Sequence, residues 1–374
     1  MKISLICDWL TDMRGGERCL EAACEIFPDA DIFTLVHVPG SVSQTIESHK
    51  ITTSYIQNLP GGTGSFRRYL PLFPHAINKF NLSGSDCILS FSHCVAKGVK
   101  VPPDVPHICY CHTPMRYAWH MTDEYLSDFG HLKKSAAKIV FACLRRWDKK
   151  NSASVTHFIA NSKNVRNRIK RSYNRDSVVI YPPVDCDRFT ISGQDDGFYL
   201  IVSALVPYKR VDLAVGAFRE LDRRLFVVGN GPQLSSLEKS ASSNISFIEN
   251  ADDAEVAEYM QKCTALVFPG EEDFGIVPLE AQACGKPVIA FGKGGALETI
   301  NASNRPGHTP ESPTGLFFYR QAPDSLHQAI TFFESTREQF APDNCRENAL
   351  TFDRRLYQKS MQNFVQTVLS GKRF

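Results

Sequence analysis

The sequence predicts an α/β protein of two doubly wound, Rossmann-like domains, and three observations carry that expectation. In the second half, short apolar runs with strand character (198–203, 225–228, 245–248, 264–268) alternate with segments of helical period (211–220, 233–240, 252–262, 276–284). Alternation at this pace is that of a parallel sheet wound by helices. In the first half, 3–7, 31–36, 86–91, 107–110, 154–160 and 177–180 read as strands of a further sheet, with helices at 17–27 and 131–150. Between the halves, Tyr181-Pro182-Pro183-Val184-Asp185 reads as an extended hinge, because each proline restricts the residue before it. The expected division is 1–183, 184–350 and a terminal amphipathic segment within 351–374, where Leu356, Met361, Phe364, Val365 and Val368 are apolar. A chain of 374 residues suits two cores better than one.

Composition narrows the function classes. A net charge of +2 carries no global signature of nucleic-acid binding. The twelve cysteines lie mostly in apolar stretches without a Cys-x-x-Cys pair, the pattern of reduced core thiols rather than of zinc or redox chemistry. The first strand follows Met1-Lys2 directly and no apolar run reaches membrane-spanning length, so a cytoplasmic chain is expected.

In chain order, the first candidate site is Gly15-Gly16, after the first strand, where missing Cβ atoms admit a close approach of ligand or backbone. A plain tight turn explains the pair equally well. The spacing is not the Gly-x-Gly-x-x-Gly of dinucleotide binders, which argues against an NAD-dependent dehydrogenase. The stretch 66–74 mixes Arg67 and Arg68 with aromatics, leucines and two prolines. It reads as a lid, a contact for a lipid-linked acceptor, or irregular packing. His112 follows a strand at the carboxyl edge, where open α/β sheets bind ligands. In 131–150, Ile139, Val140, Cys143, Leu144 and Trp147 form an apolar stripe beside Lys133, Lys134, Lys138, Arg145, Arg146, Lys149 and Lys150. Such a helix fits an anionic membrane surface or a core with one solvated face. Asp185-Cys186-Asp187 has a metal-binding form but sits in the hinge, so no metal site is expected there.

The second half holds the stretch that organises the chain. The run 264–268 reads as a strand, 269–275 as a loop, and 276–284 as a helix stopped by Gly285, with Pro278 in its first turn. Such a junction aims the N–H groups of about Phe274 to Val277 and a helix dipole at one point suited to an anion. Glu272 and Glu280 flank that point, as carboxylates that accept bonds from sugar hydroxyls. Lys209 supplies a cation where another strand meets a helix, Gly229 starts a strand-end turn, and Asn250 follows a strand at the same edge.

Glu272 and Glu280 with Phe274-Gly275 between them and Gly285-Lys286-Pro287-Val288 after them resemble the donor motif of retaining glycosyltransferases of family 4, group 1. Residues 111–119, with Cys7-Asp8-Trp9-Leu10 and 14–18, are similar to the mannosyltransferase-like subgroup of bacterial O-antigen and exopolysaccharide clusters. The resemblance implies a GT-B fold, two Rossmann-like domains facing a central cleft, with the last helix crossing back to the first domain. It also implies transfer of a hexose, mannose from GDP-mannose, with retention, to a lipid-linked oligosaccharide acceptor, without metal or cofactor. By the same resemblance Lys209 neutralises the donor diphosphate with the helix N-terminus at Ile276. Glu280 holds the ribose; Glu272 and the Phe274-Gly275 backbone hold the sugar. His112 borders the sugar, Gly15 and Gly16 approach donor and acceptor, Gly229 lies beside the nucleotide, and Asn250 touches the base. Many relatives carry Arg where Ala204 stands, which leaves Arg210 as the stand-in. The alternatives are a GT-B epimerase or phosphorylase, or an inactive nucleotide-sugar or glycolipid binder.

Overall fold

The computed structural model describes residues 2–120, 122, 130–307 and 310–371. It divides into a unit of Met1–Pro183 with Arg355–Phe374 and a unit of Val184–Arg354. In unit 1, β1 (Ile3–Cys7), β2 (Asp31–Thr34), β3 (Ile51–Thr53), β4 (Cys87–Ser92), β5 (His107–Cys111), β6 (His157–Ala160) and β7 (Ser177–Val179) form a sheet ordered β3-β2-β1-β4-β5-β6-β7. Every pairing in it is parallel. In unit 2, β8 (Phe198–Val202), β9 (Arg224–Val228), β10 (Ile245–Ile248), β11 (Ala265–Phe268), β12 (Val288–Phe291) and β13 (Gly315–Phe318) are ordered β10-β9-β8-β11-β12-β13, again parallel throughout. Strands buried on both faces need continuous apolar runs, and β1, β4, β5 and β11 are buried along their whole length. Each sheet reverses its strand order once, between β1 and β4 and between β8 and β11. Open α/β sheets form their ligand crevice at such a point.

Several boundaries differ from the sequence reading. The first helix spans Gly15–Ile26, so Gly15 and Gly16 belong to it rather than to a loop before it. Residues Ser152–Ser154 make a 3-10 turn ahead of β6. β3, β13 and the helices Pro323–Ser335 and Pro342–Leu350 have no counterpart in the sequence reading. The helix Arg354–Leu369 packs Tyr357, Met361, Phe364 and Val365 into the unit 1 core, and the Tyr357 hydroxyl donates to the Cys19 carbonyl at 3.1 Å. All twelve cysteines are free thiols and only Cys143 is exposed.

The helix His131–Asn151 corrects the membrane-stripe reading in part. Phe141 and Leu144 are buried, and Val140 and Trp147 pack against the same unit 1 cluster. Ile139, at 67% exposure, and Cys143 face outward with Lys138, Arg146, Lys149 and Lys150, while Arg145 donates to the Ala118 carbonyl at 2.5 Å and lies over the Trp119 ring. The side chain of Lys133 lies outside the described residues. The sequence period locates a face but not what covers it, and here the core claims Trp147 and Leu144. A Cβ at Gly98 would overlap the Trp147 ring. Gly98→Ala is therefore expected to destabilise unit 1 by about 1–3 kcal/mol through overpacking. Urea unfolding followed by tryptophan fluorescence checks this, since Trp9, Trp119 and Trp147 all lie in unit 1.

The stretch 66–74 is also packed. Phe66–Leu72 is a 3-10 helix running into the helix Phe73–Ile77, with Phe66 and Phe73 buried and their rings stacked at 6.3 Å. Arg67, Arg68 and Leu72 remain exposed.

Candidate active site

In unit 2 the reversal between β8 and β11 brings the loops after those strands together. After β8, Pro207–Lys209 makes one 3-10 turn, and Arg210 takes a left-handed conformation (φ 55°) to start the helix Val211–Phe218. After β11 the chain passes Gly270, where a Cβ would stand 3.0 Å from the Lys209 Cα, so glycine permits the two loops to touch. The result is an ion pair between Lys209 Nζ and Glu272 Oε1, with both side chains mostly buried. Gly275 caps the helix Ile276–Ala283 at φ 94°, ψ 85°, a conformation open to glycine, so the helix, with the unpaired N–H groups of its first turn, starts just after the loop that carries Glu272. Pro278 is buried in the first turn, where its missing N–H costs nothing.

A second loop supports the first. Glu272 bridges Gly294, the Gly295 N–H donates to the Glu272 carbonyl at 2.9 Å, and Lys293 pairs with Glu271 at 3.0 Å. Phe274 is buried beside Phe352, and Glu280 is half-buried one turn into the helix. Gly229 (φ 144°) lies where a Cβ would overlap the Ser203 carbonyl, so the β8 and β9 loops abut there. Asn250, at φ 55°, follows β10, and Glu249 beside it accepts from Asn230 at 3.1 Å. Arg210 is engaged by Asp212 through two contacts of 3.2 and 3.3 Å, so a carboxylate already competes for the expected stand-in cation. The structure thus brings Lys209, Glu272, Phe274, Gly275 and Ile276 to one corner, while Gly229 and Asn250 mark the neighbouring strand ends.

A cavity of about 740 Å³ in unit 2 lies elsewhere, lined by Thr264 and Pro287 at the amino ends of β11 and β12. Within it Asp195 pairs with Arg337 and accepts from Thr264, and Lys286 donates to the Gln194 carbonyl. The corner formed by Lys209 and Glu272 lies at the opposite, carboxyl edge of the sheet.

In unit 1, His112 follows β5 and its N–H donates to the Ser92 carbonyl at 2.9 Å. A Cβ on Gly16 would sit 3.6 Å from His112 Nε2, so the Gly15-Gly16 helix start and His112 are neighbours. The sequence reading missed what lies beside them. Asp8, 1% exposed, accepts from the N–H groups of His93 and Cys94 at 2.8 and 2.9 Å and of Val95 and Ala96 at 2.7 and 2.8 Å. The His93 ring approaches the same carboxylate at 3.2 Å and the His112 ring at 6.4 Å. Burial lowers the proton affinity of His93; Asp8 opposes this, while Arg116, Arg67 and Lys97 add to it.

Glu17, in the first turn after Gly16, accepts from the Arg14 N–H at 3.1 Å. Burial pushes its carboxyl up to about 7, with its hydrogen bonds opposing and Asp12 adding to the rise. Because the folded value exceeds the ordinary 4.5, the folded state holds the extra proton between the two values. Its contribution to stability is complete below about 4.5 and is lost as the pH rises through about 7. Glu17→Gln should remove that slope, read as the difference between wild-type and variant urea midpoints across this window.

Among solved structures, a sucrose-phosphate synthase from Thermosynechococcus elongatus matches with a TM-score of 0.74 over 100% of both chains at 17% identity, a likeness of fold. That fold is GT-B, as expected from the sequence. An uncharacterized glycosyltransferase of Methanocaldococcus jannaschii is 35% identical over 144 residues, 37% of this chain and 41% of the relative. A GDP-mannose-dependent α-(1-6)-phosphatidylinositol monomannoside mannosyltransferase of Mycolicibacterium smegmatis is 30% identical over 182 residues, 40% of this chain and 47% of the relative. The matches span a little under half the length of these curated relatives. Residues 14–188 match the family model Glycosyltransferase Family 4, and residues 187–351 match Glycosyl transferases group 1. The two models together span residues 14–351 of the 374-residue chain, and the protein is a glycosyltransferase built of these two domains, family 4 followed by group 1.

Proposed function

We propose that the protein is a retaining hexosyltransferase that moves mannose from GDP-mannose to a lipid-linked oligosaccharide acceptor in surface-polysaccharide synthesis. One observation carries the donor assignment: Lys209, Glu272 and the glycine-capped start of the helix Ile276–Ala283 converge at the reversal of the unit 2 sheet. When the bond between the anomeric carbon and the diphosphate breaks, negative charge collects on the departing phosphate. A fixed ammonium and helix N–H groups favour that charge without reorganising. In this reading Lys209 and the 275–277 backbone take the diphosphate, Glu272 and Phe274-Gly275 the sugar, and Glu280 the ribose. Gly229 and Asn250 border the nucleotide. The family resemblance assigns His112 to the sugar and Gly15 and Gly16 to the acceptor side. Lysine and helix dipole do the work a metal does elsewhere, so neither metal nor cofactor is required.

Mannose and guanine are favoured by the relative from Mycolicibacterium smegmatis, whose name states both a GDP-mannose donor and a phosphatidylinositol-based acceptor. A lipid-linked acceptor draws the protein to the inner face of the cytoplasmic membrane. The outward cations of the helix His131–Asn151 suit an anionic surface, each adding about 1 kcal/mol near lipid. No helix among the described residues is long and apolar enough to cross a membrane.

A second reading, a nucleotide-sugar binder without turnover, is favoured by Ala204 and by the engagement of Arg210 with Asp212. Purified protein incubated with GDP-mannose, with and without bacterial lipid extract, separates the readings. A mannosylated lipid whose new anomeric bond is α, formed only with extract, is expected. Conversion of donor alone indicates an epimerase, and no turnover with any nucleotide sugar indicates the inactive binder.

A further inference from the structure

At the reversal of the unit 1 sheet, between β1 and β4, cationic groups gather around a carboxylate that has no capacity left for a ligand. Asp8 already accepts four backbone N–H groups and faces the His93 ring, which fills the lone pairs of a buried carboxylate. Trp9, the next residue, stands edge-on to His93 at 4.5 Å and packs on Phe66 at 5.2 Å. Over the Trp9 ring at 5.5 Å and the Phe66 ring at 5.0 Å lies the Arg67 guanidinium. Arg67 is exposed and, among the described residues, pairs with no carboxylate. Arg116 opens the short helix Arg116–Trp119 after β5, which pairs with β4 at Ser92 and Cys111, so the chain after β5 runs beside His93, whose ring lies 6.4 Å from that of His112. The Trp9 face is therefore not a bare platform for a sugar ring; it is covered by a guanidinium. A guanidinium already ordered on aromatic rings loses little freedom on binding an oxyanion, and its planar fork matches two phosphate oxygens.

We propose that Arg67, stacked on Trp9 beside His93, and Arg116, which follows the neighbouring strand β5, form a subsite for the phosphate or diphosphate group of the acceptor at the β1/β4 reversal. The inference deepens the proposed function and rests on its assignment of the donor diphosphate to unit 2. A phosphomonoester and a lipid diphosphate offer the same oxygens to this subsite.

Calorimetric titration of the full chain with inorganic pyrophosphate, farnesyl diphosphate and farnesol tests it. Farnesyl diphosphate is expected to bind wild type and Lys209→Ala alike and to bind Arg67→Ala about tenfold more weakly, the loss of one charge-assisted pair. Arg67→Lys should fall between, Arg116→Gln should also weaken binding, and farnesol should give no heat. Arg67 is exposed, so an unchanged melting temperature checks that the variants fold. Equal binding of pyrophosphate supports a subsite that reads phosphate alone; tighter farnesyl diphosphate supports one continued by lipid contacts. Unchanged affinity in both arginine variants overturns the inference, as does equal binding of farnesol or no diphosphate binding at all. Loss of binding in Lys209→Ala alone puts the anion in unit 2: the subsite fails and the donor assignment stands. Failure of every nucleoside diphosphate to bind would remove the donor assignment without touching the Arg67 result.

Discussion

Lys209→Ala is expected to lower sugar transfer by two or more powers of ten, about 3 kcal/mol of transition-state stabilisation, with the fold intact. Its ammonium meets Glu272 across two loops that touch at Gly270. In the proposed reading the carboxylate holds the cation in place until a more highly charged diphosphate competes for it. Glu272→Ala should cost transfer by a similar factor, but by a different route. Removing the carboxylate frees the ammonium, so this variant should bind a free nucleoside diphosphate at least as tightly as wild type while failing to orient the sugar. Lys209→Ala should lose both. Parallel kinetics and diphosphate titrations of the two variants check the split, and near-normal turnover in either would remove that residue from the mechanism.

Asp148→Ala is expected to cost unit 1 about 3–5 kcal/mol, since it strands a buried cation. Asp148 and Lys97 are both 0% exposed and form an ion pair in the unit 1 core. The Trp119 indole donates to the other carboxylate oxygen at 2.8 Å and the Tyr173 hydroxyl at 2.7 Å. Lys97 also donates to the Cys94 carbonyl at 3.1 Å. Burial by itself would weaken the hold of Lys97 on its proton; the Asp148 carboxylate reverses this and raises its pKa above the ordinary lysine value. One carboxylate thus ties the helix Arg116–Trp119, just after His112, to the helices His131–Asn151 and Lys163–Tyr173. A lost 3–5 kcal/mol is a large share of the roughly 5–15 kcal/mol that holds a domain folded. Tryptophan-detected urea unfolding should show an early unit 1 transition in Asp148→Ala. Lys97→Met with Asp148→Leu should recover part of the loss, because no buried charge is then left unpaired. A midpoint in Asp148→Ala equal to wild type would contradict this account of the core.

The unit 2 corner was legible because its signals are local. Gly275, Pro278 and Gly285 punctuate one strand, loop and helix within a short window, and Lys209 stands at a strand-to-helix turn. The unit 1 features were not, because they depend on strand order. Asp8 and His93 are 85 positions apart and meet because β1 and β4 are neighbours in the sheet. Lys97 sits in an unremarkable Val95-Ala96-Lys97-Gly98, and Asp148 is an acid in a basic helix. Neither betrays burial until the tertiary structure pairs them. Trp147 shows the same limit from the other side, as its helical period is visible and its packing on Gly98 is not. Gly16 read equally well as a turn or a binding loop, and its position against the His112 ring is again a matter of how β1 and β5 are placed.

The most direct test of the central claim, that a nucleotide diphosphate sits on Lys209 and the start of the helix Ile276–Ala283, is a thermal-shift titration with GDP, UDP and dTDP on wild type, Lys209→Ala and Glu272→Ala. The expected result is that one nucleotide, GDP by this reading, raises the melting temperature of wild type and of Glu272→Ala but not of Lys209→Ala. Equal stabilisation of wild type and Lys209→Ala, or none by any of the three, would contradict it.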